Sequence, residues 1–503
     1  MILKPRLSYK GLTVILSNPS RFDRAELLSA TGGYYFREEC LRPHLNVLQC
    51  EVRTRDEKAP FLPNTKAVLL LGLDAFRQYT GDTEHTLGEV RGSIYYVNGI
   101  AAIPSYLPQD CIDVKDYEGE HNELLANKSY EEPEDAEGDS NDKRRHGRTA
   151  RSNWRFWLKK DTEKAIKILL NEGRIPESPG WFRPNYQLYP SASSVIQELN
   201  SIKNSHLFLD IETDSQFGLK CFGYSLDSER ISVVPVFDYA YKRAYPELLE
   251  ILRALSVAMC NNTVVSHNGS GFDWLVLPWK YNLLGGPRYY DTMLAMHRCF
   301  PDIEKSLGHC TSLWTYEPFH KDEGSMSYGT VQDMRELMAY CGKDVYTMML
   351  IKRAIDAYAK TIPGLEASIQ QVMDSIPAYL IMTLQGIHYK QQILDDTMNE
   401  NDQFMMKYNE FIEYLIGRDF MRDLHKKSKK SLPGSNAKCV TYFHDMLGYP
   451  VVARSLKTKQ PSLAKKAMYK LKLKHNSPVI DLCLAYRELS KESGSLKFTP
   501  WLQ

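Results

Sequence analysis

The stretch from about 118 to 150 constrains this chain more than any other, because it cannot enter a core. Glu131, Glu132, Glu134, Asp135, Glu137, Asp139 and Asp142 crowd its middle, and Lys143, Arg144, Arg145, Arg148 and Arg151 follow. With so few apolar residues to bury, it reads as a solvated linker. It separates a module of residues 1–117 from a long remainder, and at roughly 100–200 residues per domain that remainder holds more than one domain. Across all 503 residues, 43% are hydrophobic and 25% charged, a globular profile. Apolar runs such as AVLLLGL, Ala67 to Leu73, fall short of the about 20 residues a membrane helix needs. The start MILKPRLSYK has no apolar run of signal-peptide length. The 63 Lys+Arg balance the 62 Asp+Glu, so net charge names no partner. The 10 cysteines contain no Cys-x-x-Cys and read as buried thiols in a reducing, cytoplasmic setting rather than a zinc or disulfide framework.

Periodicity then changes along the chain. Residues 151–204 read as a helical connector, with Asp161 as N-cap and Gly173 as C-cap of DTEKAIKILLNEG. From 205 to 360 an α/β domain is expected. HLFLDIET, LKCFGYSL and RISVVPVF read as three neighbouring antiparallel strands, YPELLEILRALSVAM as an amphipathic helix and NTVVSHN as a further strand. A long helix, VQDMRELMAYCGKDVYTMMLIKRAIDAYA, follows. Residues 361–503 read as mostly helical and basic. The expected class is thus α/β, multidomain.

The chemistry sits in three segments. Asp210 and Glu212 end an apolar strand and, two residues apart, project from one face. Such a pair either points into solvent or, held together, calls for a divalent cation; carboxylate oxygens suit Mg²⁺ or Mn²⁺. Asp273 closes Asn268-Gly269-Ser270-Gly271-Phe272-Asp273, where it can cap a helix or join the pair. Tyr340 and Asp344, spaced i and i+4, share a helix face. Asp214, Asp291 and His267 lie nearby and are read as capping or structural.

Taken in this order and context, Asp-x-Glu, Asn-x-x-x-Phe-Asp and Tyr-x-x-x-Asp resemble the DEDD superfamily of 3′–5′ exonucleases, tyrosine subclass. These include the proofreading domains of DNA polymerases and ribonuclease D. The resemblance covers about 205 to 355 and implies a ribonuclease H-like fold and phosphodiester hydrolysis with two divalent cations, Mg²⁺ or Mn²⁺. It further implies that Asp210 bridges both ions, Glu212 and Asp344 complete the nucleophile-side ion, and Asp273 holds the second. Tyr340 would orient the attacking water. Asn268, Phe272 and Thr213 would contact the terminal nucleotides.

A second resemblance covers 436–491. Leu447-Gly448-Tyr449-Pro450, Pro461-Ser462 and Tyr486-Arg487-Glu488-Leu489-Ser490-Lys491 resemble the start of the thumb of family A DNA polymerases. Arg454, Lys457, Lys459, Lys465, Lys466 and Lys470 head a run of eight basic residues, ending at Lys474, without an acid. They read as DNA-backbone contacts, each neutralised phosphate adding a salt-dependent increment to binding, or else as a solubilising lysine face. Lys426, Lys427, Lys429 and Lys430 form another basic cluster. No palm motif follows, so polymerisation is not expected of this chain alone. It reads either as a truncated polymerase or as the N-terminal product of a split polymerase gene, in which case the palm and fingers lie on a partner polypeptide.

The N-terminal module resembles the uracil-DNA glycosylase superfamily through Ser17-Asn18-Pro19-Ser20, Gly72-Leu73-Asp74 and Ile103-Pro104-Ser105-Tyr106. Ile103 stands where that family has a histidine, so a DNA- or partner-binding module is expected rather than an active glycosylase. Phe22, Tyr34, Tyr35 and Phe36 read as base-stacking residues or as a buried aromatic cluster. Bacteriophage polymerases resemble this order of domains, which implies a viral source and the host cytoplasm. The expected function is a proofreading 3′–5′ exonuclease acting on single-stranded 3′ ends and primer-template DNA. The alternatives are a ribonuclease D-like exoribonuclease and a non-catalytic DNA-binding scaffold of a replisome.

Overall fold

Apolar strands with buried faces organise most of the chain. The computed structural model describes residues 10–16, 35–44, 48–54, 61, 64–111, 149–177, 181–320, 330–388, 390–417, 421–422, 431–454 and 460–496. It is a mixed α/β protein that divides into two units, Met1–Gln385 and Gly386–Gln503.

The first unit holds two larger sheets. One contains β1 (Lys10–Leu16), β2 (Leu48–Thr54), β3 (Thr65–Leu71), β4 (Tyr95–Val97) and β5 (Ile100–Ser105), in the order β2-β1-β3-β5-β4. Only the β4–β5 pair is antiparallel. In β3 the run Ala67 to Leu71 is buried throughout, as expected of a parallel strand covered on both faces. The helix Thr149–Leu170 lies against this sheet and buries Leu158, Ala165, Ile166 and Leu169 in its core.

That helix corrects one expectation. Asp161 is not an N-cap; it lies within the helix, almost wholly buried. Its carboxylate accepts from Ser105 Oγ (2.7 Å) and Arg91 Nε (3.3 Å). Arg91 stacks on Trp157 at 3.6 Å and donates to Ser312 Oγ at 2.7 Å. Lys164 donates to the carbonyls of Gly92 (2.7 Å), Thr315 (2.8 Å) and Ser312. A buried charge needs partners of this kind, and here they tie the first sheet to the helix Leu307–Trp314.

The second sheet contains β6 (Asn185–Leu188), β7 (His206–Thr213), β8 (Leu219–Ser225) and β9 (Arg230–Pro235). The ribbon β10 (Phe237–Asp238) and β11 (Arg243–Ala244) intervenes before β12 (Thr263–Ser266) and β13 (Tyr289–Asp291) complete the sheet. The order is β13-β12-β7-β8-β9-β6. The β7–β8–β9 meander is antiparallel, as three short β-rich runs separated by turns predict, and β12 runs parallel to β7. The edge strands β6 and β13, only 4 and 3 residues long, give too little pattern to be read in advance.

Helix Val331–Ala359 crosses β7, β8 and β9. Thr330 and Asp333 form a reciprocal capping box at its start. The helix Leu365–Gln385, which falls on the thumb-like side of the boundary at 360, buries Ile369, Met373, Ile376 and Leu380 in the second sheet's core.

The second unit is helical: Gln391–Ile416, Asn436–Val440, Lys465–Lys474 and Pro478–Leu496. Its core gathers Ile412, Phe443, Leu463, Met468, Ile480 and Leu484. Arg487 donates to the carbonyl of Pro433 at 2.8 Å and to that of Leu463, so it braces the fold. Among the described residues, no helix is long and apolar enough to cross a membrane.

Candidate active site

The site begins where β7 leaves the core. Leu207, Phe208 and Leu209 are buried, and Asp210 and Glu212 follow on the opposite phase from Ile211. Across the ladder Asp210 faces Gly223 and Glu212 faces Cys221 on β8. Gly223 explains why the long helix comes so close. A β-carbon there would lie 2.9 Å from Cys341 Sγ and 3.0 Å from Val345 Cγ2. Without one, the helix settles on the strand, and Cys341 Sγ reaches the Asp210 carbonyl at 3.7 Å. One oxygen each from Asp210 and Glu212 and the sulfur of Cys341 lie within 4.8 Å of one another.

Asp273 is the first residue of the helix Asp273–Tyr281 and is 3% exposed. Its Oδ1 accepts the N–H of Ile211 at 3.1 Å, between the two carboxylate-bearing residues of β7. Burial pushes its pKa well up, and the charge of Asp210 pushes it further, against the pull of the Ile211 N–H. The loop before it is fastened by Asp291. That buried carboxylate accepts from the N–H of Asn268 (3.0 Å), Ser270 Oγ (2.8 Å) and the N–H of Met293 (2.9 Å). Asp291 is therefore the cap the sequence suggests, and it also holds Asn268 in a left-handed turn at φ 61°. Phe272 caps the Asp273 helix, its ring 6.2 Å from Phe217. Thr213 follows a β-bulge at the strand's end and pairs with Leu219.

Tyr340 and Asp344 flank Cys341 on the long helix. Asp344 is buried, and His320 Nε2 donates to its Oδ1 at 2.8 Å. The His320 ring lies 6.0 Å from that of Tyr340. Neither His320 nor Cys341 was picked out from the sequence. Cys341 could have been, since it lies inside the Tyr-x-x-x-Asp segment; His320 has no local signal.

The structure thus brings Asp210, Glu212 and Asp273 together, with the helix that carries Tyr340 and Asp344 seated on β7. The carboxylate oxygens of Asp210 and Glu212 fit a hard divalent cation; the Cys341 thiol beside them, its pKa pushed up by burial, is not a ligand for such an ion. Asp210 also raises the pKa of Asp273, the response of like charges that a cation or a proton relieves.

Of the residues read as DNA-backbone contacts, Arg454, Lys465, Lys466 and Lys470 are described. Arg454 pairs through its backbone with Pro461, and Lys465 meets Glu488 at 3.0 Å. Lys466 and Lys470 lie on the helix Lys465–Lys474; Lys470 lines a shallow hollow of about 300 Å³ with Pro450, Val451, Val452, Leu473 and Lys474. Lys457, Lys459, Lys426, Lys427, Lys429 and Lys430 lie outside the described residues, as do residues 118–148, Ser17 to Ser20, Phe22 and Tyr34. In the N-terminal module Ile103 is a core residue of β5, and Ser105 is taken by Asp161. Phe36 is buried in the same core, and the Tyr35 hydroxyl donates to the Arg155 carbonyl at 3.1 Å. These two aromatics follow the buried-cluster alternative.

No protein-family model and no curated protein matches the chain. Solved structures do. One is the POL domain of Pol1 from M. smegmatis in complex with DNA primer-template and dNTP. It is 14% identical with a TM-score of 0.41, and the match covers 62% of this chain and 49% of that one. The chain therefore spans about half the length of that polymerase structure. Another is the apo form of a nuclease, 16% identical with a TM-score of 0.31, covering 41% of this chain and 95% of that one. At these TM-scores neither likeness carries weight, and the reading below rests on the residues.

Proposed function

We propose that this protein is a metal-dependent 3′–5′ exonuclease that removes terminal nucleotides from DNA as the proofreading part of a family A DNA polymerase. The observation that supports it most is the meeting of Asp210, Glu212 and Asp273 at β7 under the helix bearing Tyr340 and Asp344. Asp210, Glu212, Asp273 and Asp344 would hold two Mg²⁺ or Mn²⁺ ions. Bound there, such cations supply Lewis acidity for the attacking water and for charge on the departing 3′ oxygen.

The chain's own residues do the rest. The Tyr340 phenol orients the water through a hydrogen bond. Asn268, held by Asp291, and Phe272, packed near Phe217, shape the pocket for the terminal nucleotide, with Thr213 at its rim. The basic residues Arg454, Lys465, Lys466 and Lys470 would track the phosphate backbone of the duplex. The test is to incubate the protein with 5′-labelled single-stranded DNA, mispaired primer-template, RNA and uracil-containing DNA, with and without Mg²⁺. A Mg²⁺-dependent ladder shortening DNA from its 3′ end supports the proposal. A ladder on RNA alone selects a ribonuclease D-like enzyme, an abasic product a glycosylase, and no product a binding scaffold.

A further inference from the structure

Asp344 is the acidic residue of the proposed site carried within the long helix Val331–Ala359, and something must fix its rotamer. We propose that His320 is a positioning residue for Asp344, fixing the orientation of its carboxylate for a divalent cation. This rests on the nuclease reading above and names a residue outside all three of its motifs.

The geometry is specific. His320 Nε2 and Asp344 Oδ1 are 2.8 Å apart, and the two side chains are each only 6% exposed. A buried hydrogen bond to a carboxylate is short and directional, and it is not diluted by competing water. His320 is itself placed. It lies in the segment that leaves the helix Leu307–Trp314, whose Thr315 backbone N–H bonds back to Thr311. Lys164 clamps the carbonyls of Ser312 and Thr315. Two residues further on, the Glu317 carboxylate accepts from the Tyr346 hydroxyl at 3.2 Å. Tyr346 lies one half-turn beyond Asp344 on the same long helix, and its hydroxyl oxygen also lies 3.1 Å from the Phe182 carbonyl oxygen, the two acceptors sharing its single proton. Residues 317 and 320 therefore grip the helix at two points, and Asp344 lies at one of them. Carboxylates that ligate metals are commonly oriented by such outer partners, and losing the partner typically costs about 10–100-fold in metal affinity or activity.

The test uses the full chain and reads Mn²⁺ binding directly, by calorimetry or by the loss of the free-ion EPR signal, beside nuclease rate. His320→Ala is expected to weaken Mn²⁺ binding by about 10-fold or more. His320→Gln, whose amide nitrogen reaches about as far as Nε2, is expected to recover most of it. The same order should appear in the Mg²⁺ concentration giving half-maximal rate, with KM for DNA little changed. Thermal melts of both variants report whether the fold is intact. Unchanged Mn²⁺ affinity in folded His320→Ala, no recovery in folded His320→Gln, or absence of Mn²⁺ binding by the parent would each overturn the proposal. If the variants shift Mn²⁺ affinity as expected while the parent cleaves no nucleic acid, the positioning role stands and the nuclease reading fails.

Discussion

Asp161 and Asp273 are both carboxylates almost wholly removed from water within the same unit, and burial pushes the pKa of each upward. They differ in the sign of their neighbours. Around Asp161, Arg91, Ser105 and Lys164 favour the charged form. Around Asp273, the largest neighbouring influence is Asp210, which disfavours it. In the first arrangement opposite charges, hydroxyls and carbonyls of the chain meet one another, leaving Arg91 Nη1 without a hydrogen bond, and the result is a joint between sheet and helix. The second gathers like charges beside a strand end, which costs folding energy unless a cation or a proton intervenes. Buried acids with balanced neighbours mark structure; buried acids with acidic neighbours mark a site.

The largest expected effect breaks the joint. Asp161→Ala leaves Arg91 buried without its carboxylate and should cost about 3–5 kcal/mol, read from denaturant midpoints. Replacing Arg91 and Asp161 together by Met and Leu should recover most of that loss. Divalent cations give the next effect. Mn²⁺ at 100 times its dissociation constant should stabilise the parent by about 2.7 kcal/mol. The same ion should leave Asp210→Ala nearly unmoved and stabilise Asp161→Ala as it does the parent. A rise in melting temperature shared equally by all three proteins would erase the contrast.

The third test inverts a usual expectation. Without divalent ions, Asp273→Asn should raise stability by on the order of 1 kcal/mol, since it removes a like charge while its amide oxygen still accepts from Ile211. Asp161→Asn should lower stability. The smallest effect is on pH dependence. Asp273 has a folded pKa above its ordinary 3.8, so the folded state binds the extra proton between those values. Its contribution is fully present below about pH 4 and is lost as pH rises through the folded pKa. Metal-free melts of the parent should show this fall with rising pH, and Asp273→Asn should flatten it.

Much of this contrast was legible in the sequence. β7, β8 and β9 are legible as short β-rich runs between turns, and Asp210, Glu212, Asp273, Tyr340 and Asp344 through the family resemblance that their three motifs carry together. What was hidden lies between distant segments. Asp161 looked like a cap because Asp before an apolar run favours one. Its true partners, Arg91 and Ser105, are 70 and 56 residues away. His320 lies 24 residues before the carboxylate it holds, in a loop without periodicity. The close seat of the long helix depends on Gly223, whose meaning appears only when Cys341 and Val345 are placed over it. Local pattern reports elements and faces; it does not report which buried charge meets which.

In the proposed function the acids at β7 grip cations around a scissile phosphodiester. This is tested most directly by the rate at which 5′-labelled single-stranded DNA is shortened in Mg²⁺, parent against Asp210→Ala, with matched melting curves. The account predicts stepwise loss of 3′ nucleotides by the parent and a fall of about 1000-fold in the variant, near 4 kcal/mol of transition-state stabilisation. A folded Asp210→Ala protein that trims DNA as fast as the parent would contradict it.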